Sequence, residues 1–295
     1  MTVDYWDDLD ADLATVPTNL VLTPEPSRTT PDWTFSTITF SSIGHRGSSR
    51  YRAAGYLSIP TRPGPHPGVL EIPRHGSVNH TPHSNDRARY AILTLMHRGQ
   101  RLADAPYRAP YPGLLIDGIV DASEYVYRGV VADCLRAAEI LHSHPGVDSA
   151  RLAAVGEDLG VLTAARRPFF RALRVDGLLL TDPWRRAEST RAYPLESLND
   201  FRRHSTDDEL AAARSTTALY DPLALAGDVT AAALVSDGSA SGAALASRLG
   251  GTTDTLVPTG HDRIDDDARD AWLAAQLGAP AMSRYVDAMI PLPGE

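Results

Sequence analysis

The sequence predicts an α/β fold, a mostly parallel central sheet with helices on both faces, and three observations carry that expectation. Short apolar runs of strand length recur at residues 68–72, 90–95, 152–155, 177–180, 231–235 and 254–257. Segments with helical spacing of apolar residues separate most of them, at 124–142, 160–172, 207–217, 242–250 and 265–277. Ahead of both stand two segments, 33–40 and 52–59, that read as an antiparallel pair. Runs apolar on both sides and alternating with helices are the trace of a parallel sheet covered on both faces.

Taken in order, the first element is a helix over residues 5–13, where Trp6, Leu9 and Leu13 fall on one side. Residues 16–31 are rich in Pro and Thr and read as an extended surface arm. Trp33 to Phe40 alternates strictly, which gives a strand with one buried face, and 52–59 pairs with it across the turn at 44–49. A proline-dense loop at 60–67 leads into the apolar runs. Residues 182–226 read as a cap-like insertion between strands, and 290–295 as a tail. The expected organisation is a single domain over 1–295, with 1–31 forming an N-terminal helix and arm.

Composition excludes several chemistries. A domain of 295 residues can bury roughly three quarters of its unfolded surface, so it needs no staple. Cys134 is the only cysteine, which rules out an internal disulfide and multi-cysteine metal sites. All 28 cationic residues are arginines, so neither a Schiff base nor a Walker-type phosphate loop can form. A formal charge of −9 argues against nucleic acid or an anionic membrane as partner. The acidic start, Asp4-Tyr5-Trp6-Asp7-Asp8, lacks the signature of a signal peptide, and no apolar run approaches the length of about 18 residues needed for a membrane span. The expectation is a cytoplasmic protein acting on a small molecule, without cofactor. No metal is expected either, because His75, His80, His83 and Asp86 follow no helical ligand spacing.

The chemistry is expected where the run 152–155 enters Gly156-Glu157-Asp158-Leu159-Gly160 and then a helix. A G-x-[nucleophile]-x-G turn of this kind holds its central side chain above the sheet, and its glycines let strand and helix approach closely. Here the central residue is Asp158. The run 231–235 leads to Asp237, and the run 254–257 to His261, ahead of the last helix. Nucleophile, acid and histidine in that chain order make an Asp158–His261–Asp237 triad the expected catalytic group.

Further stretches carry a family resemblance: Tyr5-Trp6-Asp7; His75-Gly76; Arg98-Gly99-Gln100; Gly118-Ile119 with Asp121; Tyr125-Val126-Tyr127-Arg128; and Pro145-Gly146-Val147-Asp148. From about residue 5 to 277 the chain resembles the acetylxylan esterase and cephalosporin C deacetylase family of α/β-hydrolases. The resemblance implies the α/β-hydrolase fold, an oxyanion hole from the backbone at Ser77 and Leu159, and a homo-oligomer. It places the family's serine at Asp158. Arg74, His75, Glu157 and Trp184 are candidate pocket residues, and Tyr107, Tyr111, Tyr193 and Tyr220 are candidate opposing acids. An aspartate nucleophile suits displacement at saturated carbon, so the leading expectation is hydrolysis of an epoxide, ester-type or carbon–halogen bond. The alternatives are a non-hydrolytic acid/base enzyme (lyase, cyclase or isomerase), ester hydrolysis with Asp158 as general base, and a catalytically dead binding protein.

Overall fold

The computed structural model describes residues 2–75, 80–103, 105 and 113–285. The strands are β1 (Val21–Pro24), β2 (Trp33–Ile43), β3 (Arg50–Pro60), β4 (His66–Glu71), β5 (Ala91–Met96), β6 (Val147–Gly156), β7 (Ala172–Val175), β8 (Ala232–Val235) and β9 (Thr253–Thr255). The helices are α1 (Thr2–Thr15), α2 (Ser84–Arg89), α3 (Val126–Ser143), α4 (Asp158–Arg166), α5 (Pro183–Glu188), α6 (Glu196–His204), α7 (Asp207–Ala218), α8 (Ala240–Ala246) and α9 (Asp262–Leu277). Among the described residues the strands form a nine-stranded sheet in the order β1-β2-β3-β5-β4-β6-β7-β8-β9. Pairing is antiparallel from β1 through β3 to β5 and parallel from β5 onward.

Alternate residues of the parallel strands enter two separate cores. Leu70, Ala154 and Leu173 join the large core with α1, α3 and α4. Val69, Ala153, Val155 and Ala172 face Leu273 and Leu277 of α9 on the other side. The period of two in a strand sets this division. Polar residues flank Val155 on the α9 face: Thr94, Glu71, Val155 and Arg174 are register neighbours across β5, β4, β6 and β7.

The antiparallel opening is as expected, with Ile38 opposite Gly55. Several elements differ from the sequence reading, among them the helix expected over 242–250, which runs from Ala240 to Ala246. The run 177–180 is not a strand. The strand is Ala172–Val175, whose buried Arg174 disguises it, while the leucines after Gly177 form a loop. The expected helix 160–172 starts earlier, at Asp158, and ends at Arg166. Part of the presumed surface arm pairs with the sheet as β1. The segment 182–226 holds α5, α6 and α7, and its Trp184, Leu198, Ala213 and Tyr220 belong to the same core as α3 and α4.

An ion pair buried in that core joins the two halves of the sheet opening. The Arg98 guanidinium donates to both oxygens of Asp133, at 3.0 and 2.8 Å, and to the carbonyls of Ile43 and Gly44. Gly129 of α3 leaves it room, since a Cβ there would lie 1.9 Å from Arg98 Nη1.

Candidate active site

Strand β6 ends in Gly156, where a Cβ would press on Ile72 of the neighbouring chain segment at 3.1 Å. Glu157 turns the chain and Asp158 opens α4. Among the described non-glycine residues, positive φ occurs at Asn19, Arg46, Leu102 and Asp182, so Asp158 is not in the strained conformation of a nucleophile elbow. Its side chain turns inward and is 2% exposed. One carboxylate oxygen accepts from the amide of Leu180 at 2.9 Å, and the other from the amide of Leu179. The loop that the sequence presented as a strand therefore folds over Asp158 and donates to it.

Burial pushes the Asp158 carboxyl up to about 7; the two amides oppose that shift and the nearby Glu157 adds to it. A neutral carboxyl and a carboxylate are thus both populated near neutral pH. Beside it, His75 Nδ1 pairs with the Tyr127 hydroxyl, the two rings stack, and His75 Nε2 lies 3.3 Å from the Tyr193 hydroxyl. Burial, helped by His97, holds His75 down at about 4, so its imidazole is neutral at pH 7. Burial raises Tyr127 well above an ordinary phenol. His75, Tyr127, Glu157 and Asp158 border a cavity of about 10 Å³, lined also by Leu159, Leu179 and Leu180. That is space for about one water molecule.

The expected triad does not assemble. His261 caps α9, its Nδ1 accepting from the Ile264 amide at 3.4 Å. Asp237 Oδ1 accepts from the Ser239 amide at 2.8 Å, the local turn that an Asp-Gly-Ser sequence favours. Among the described residues no hydrogen bond or ion pair joins His261 to Asp237 or Asp158. The loop before His261 is held instead by Asp265, which accepts from Thr259 and Gly260.

The remaining candidates divide. Leu159 borders the cavity, and Ser77 lies outside the described residues, as do Tyr107 and Tyr111. Arg74 faces Glu157 at 3.5 Å rather than Asp158. Glu157 also accepts from the His75 amide, and burial raises its carboxyl. Trp184 is buried, donating to Thr217 Oγ1 at 2.8 Å and packing on Phe201. Tyr220 is buried and paired with Tyr5, whereas Tyr193 reaches His75. His83 caps α2, and Asp86 binds Arg89 and Arg284. Tyr127 lies in a stretch that carries the family resemblance, and its place beside Asp158 depends on α3 packing next to the elbow, which no local pattern signals.

The family model described as acetyl xylan esterase matches residues 3–238, a stretch that contains Asp158 and Asp237 and stops short of His261. Among solved structures, an acetyl xylan esterase from a Paenibacillus species superposes with a TM-score of 0.74 at 18% identity, covering 92% of this chain and 93% of the other. Acetyl xylan esterase 1 from a Thermoanaerobacterium species gives a TM-score of 0.74 at 18% identity, with 93% of each chain covered. A putative acetyl xylan esterase from Bacteroides fragilis gives 0.52 at 10%, covering 86% of this chain and 74% of the other. The fold is that of the α/β-hydrolases.

Proposed function

The chain belongs to the acetyl xylan esterase family, and from that premise we propose that it hydrolyses a small acyl ester without a covalent intermediate, Asp158 acting as general base. The observation that carries this reading is the placement of Asp158, with its carboxyl near 7, beside a water-sized cavity shared with a neutral His75 and Tyr127. A base whose pKa lies near the working pH is well matched to proton transfer.

Asp158 takes a proton from the water, and the hydroxide oxygen adds to the acyl carbon. Oxyanion charge develops beside the His75–Tyr127 pair; in the tautomer where His75 Nδ1–H donates to Tyr127, the phenol O–H is left free to donate to the oxyanion. The intermediate collapses, the alkoxide leaves with the proton held by Asp158, and acid plus alcohol result.

Two features favour this route over a covalent one. Both Asp158 oxygens are already hydrogen-bonded within a buried crevice, which suits proton exchange better than attack on carbon. A covalent ester would also need a base for its hydrolysis, and His261 is bonded to the Ile264 amide. The same two features weigh against epoxide and carbon–halogen substrates.

A second reading is favoured by the same amide contacts: Asp158 is only an anchor for the loop 177–180, and the protein binds ligands without turnover. Hydrolysis of 4-nitrophenyl acetate separates the two. General-base catalysis predicts linear product release without a burst, and a loss of about 100-fold or more in Asp158→Asn. No turnover above buffer by wild type, or equal turnover by the folded variant, sinks the proposal.

A further inference from the structure

A larger cavity, of about 400 Å³, lies over the carboxyl ends of β4, β6 and β7 on the α2 and α9 side of the sheet. Arginines from three different elements reach it: Arg74 after β4, Arg174 of β7 and Arg284 after α9. Two of them are held. Arg174 bonds Asp176 at 3.0 and 2.9 Å, and Arg284 bonds Asp86 at 3.1 and 2.9 Å. Asp86 is shared with Arg89, which Asp270 also binds, so both held arginines are paired and form a fixed wall rather than free charges.

Arg74 is different. It is 65% exposed in its side chain, and its Nε stands 3.5 Å from Glu157, longer than the other two pairs. Arg74 lines the large cavity and Glu157 the water-sized one beside Asp158, so this loose pair stands between the two. The acids of the large cavity compete weakly for Arg74: Asp176 is engaged by Arg174, and Glu71 accepts from Thr94 Oγ1 in a setting that raises its carboxyl.

We propose that the large cavity binds the carboxylate of a small molecule, recruited by Arg74 against a wall formed by Arg174 and Arg284, and that the substrate is an acyl ester carrying such a carboxylate. The substrate assignment rests on the esterase reading; the carboxylate site does not. Arginine suits the task because its planar fork of donors matches a carboxylate. A ligand held by Arg74 has the remainder of its structure at the partition, next to the crevice of Asp158.

The test is calorimetric titration of the full chain at low ionic strength with acetate, D-glucuronate and citrate, with D-glucose and inorganic phosphate as controls. At least one carboxylate should bind in the millimolar range or tighter, and glucose should not bind. Arg74→Ala should weaken that binding about tenfold or more, and Arg74→Lys should weaken it less. Because Arg74 is largely exposed, the melting temperature of Arg74→Ala should match wild type, which separates lost binding from lost folding. Binding by none of the three carboxylates, equal affinity for phosphate, or an unchanged affinity in Arg74→Ala overturns the site. Carboxylate binding without turnover of 4-nitrophenyl acetate keeps the site and removes the esterase reading; turnover without binding does the reverse.

Discussion

At the residue scale, the proposed general-base role of Asp158 leaves no catalytic task for His261. In that proposal Asp158 is itself the base, and its carboxylate is satisfied by two amides of a neighbouring loop. His261→Ala is therefore expected to leave ester hydrolysis within about twofold of wild type, while losing the α9 cap costs on the order of 1 kcal/mol of stability. Asp158→Ser should not gain an acyl-serine route, because His261 is tied to Ile264 and a hydroxyl cannot accept from Leu179 and Leu180 as a carboxylate does. Steady-state rates and mass spectrometry of a quenched reaction check both expectations. A His261→Ala loss of 100-fold, or an acylated Ser variant, would return the triad to the mechanism.

At the element scale, the Arg98–Asp133 pair shows what a buried charge does for this fold. It ties the loop after β5 to α3 and to the end of β2, with the guanidinium also lying 4.6 Å from the Tyr51 ring centre. Arg98→Met leaves Asp133 buried and uncompensated, a loss of about 3–5 kcal/mol, whereas Arg98→Met with Asp133→Leu should recover part of it. Chemical denaturation of the four proteins of that cycle measures the coupling, and additive losses would contradict it. Elements with clear patterns were legible in the sequence: residues 33–40 of β2 alternate, β3 follows as its antiparallel partner, and α3, α7 and α9 lie close to their expected bounds. The β7 strand was hidden because it carries Arg174, a charge inside the sheet that is paired with Asp176. The leucines after Gly177 misled for the converse reason, since they cover the elbow without joining the sheet. The glycine-flanked turn at 156–160 points to Asp158, and the family resemblance points to His75. Their partners Tyr127, Leu179 and Leu180 were not legible as such, because those contacts exist only once α3 and the loop after β7 pack against the elbow.

At the scale of the whole molecule, the same crevice sets two opposing dependences of stability on pH. Asp158 rises from 3.8 to about 7 on folding, so between those values the native protein holds more proton than the unfolded chain. Its contribution is therefore present at low pH and is lost as pH rises through that window. His75 falls from 6.5 to about 4, so the native state there holds less proton, and its contribution is lost as pH falls below 6.5. Each is worth a few kcal/mol at most, the His75 share being smaller because its ring is only partly buried. In wild type the two slopes oppose each other between pH 4 and 6.5, which flattens the profile. Removing one should expose the other. Asp158→Asn leaves one amide without an acceptor and lowers the melting temperature at every pH, yet relative to wild type its deficit should shrink as pH rises from 4.5 to 7. His75→Phe should do the opposite, its deficit shrinking as pH falls. The other titrating groups are common to all three proteins and cancel in the differences between melting curves. Difference profiles that stay flat across this range would mean that neither group changes its proton affinity on folding, and the proton-transfer role of Asp158 would lose its physical basis.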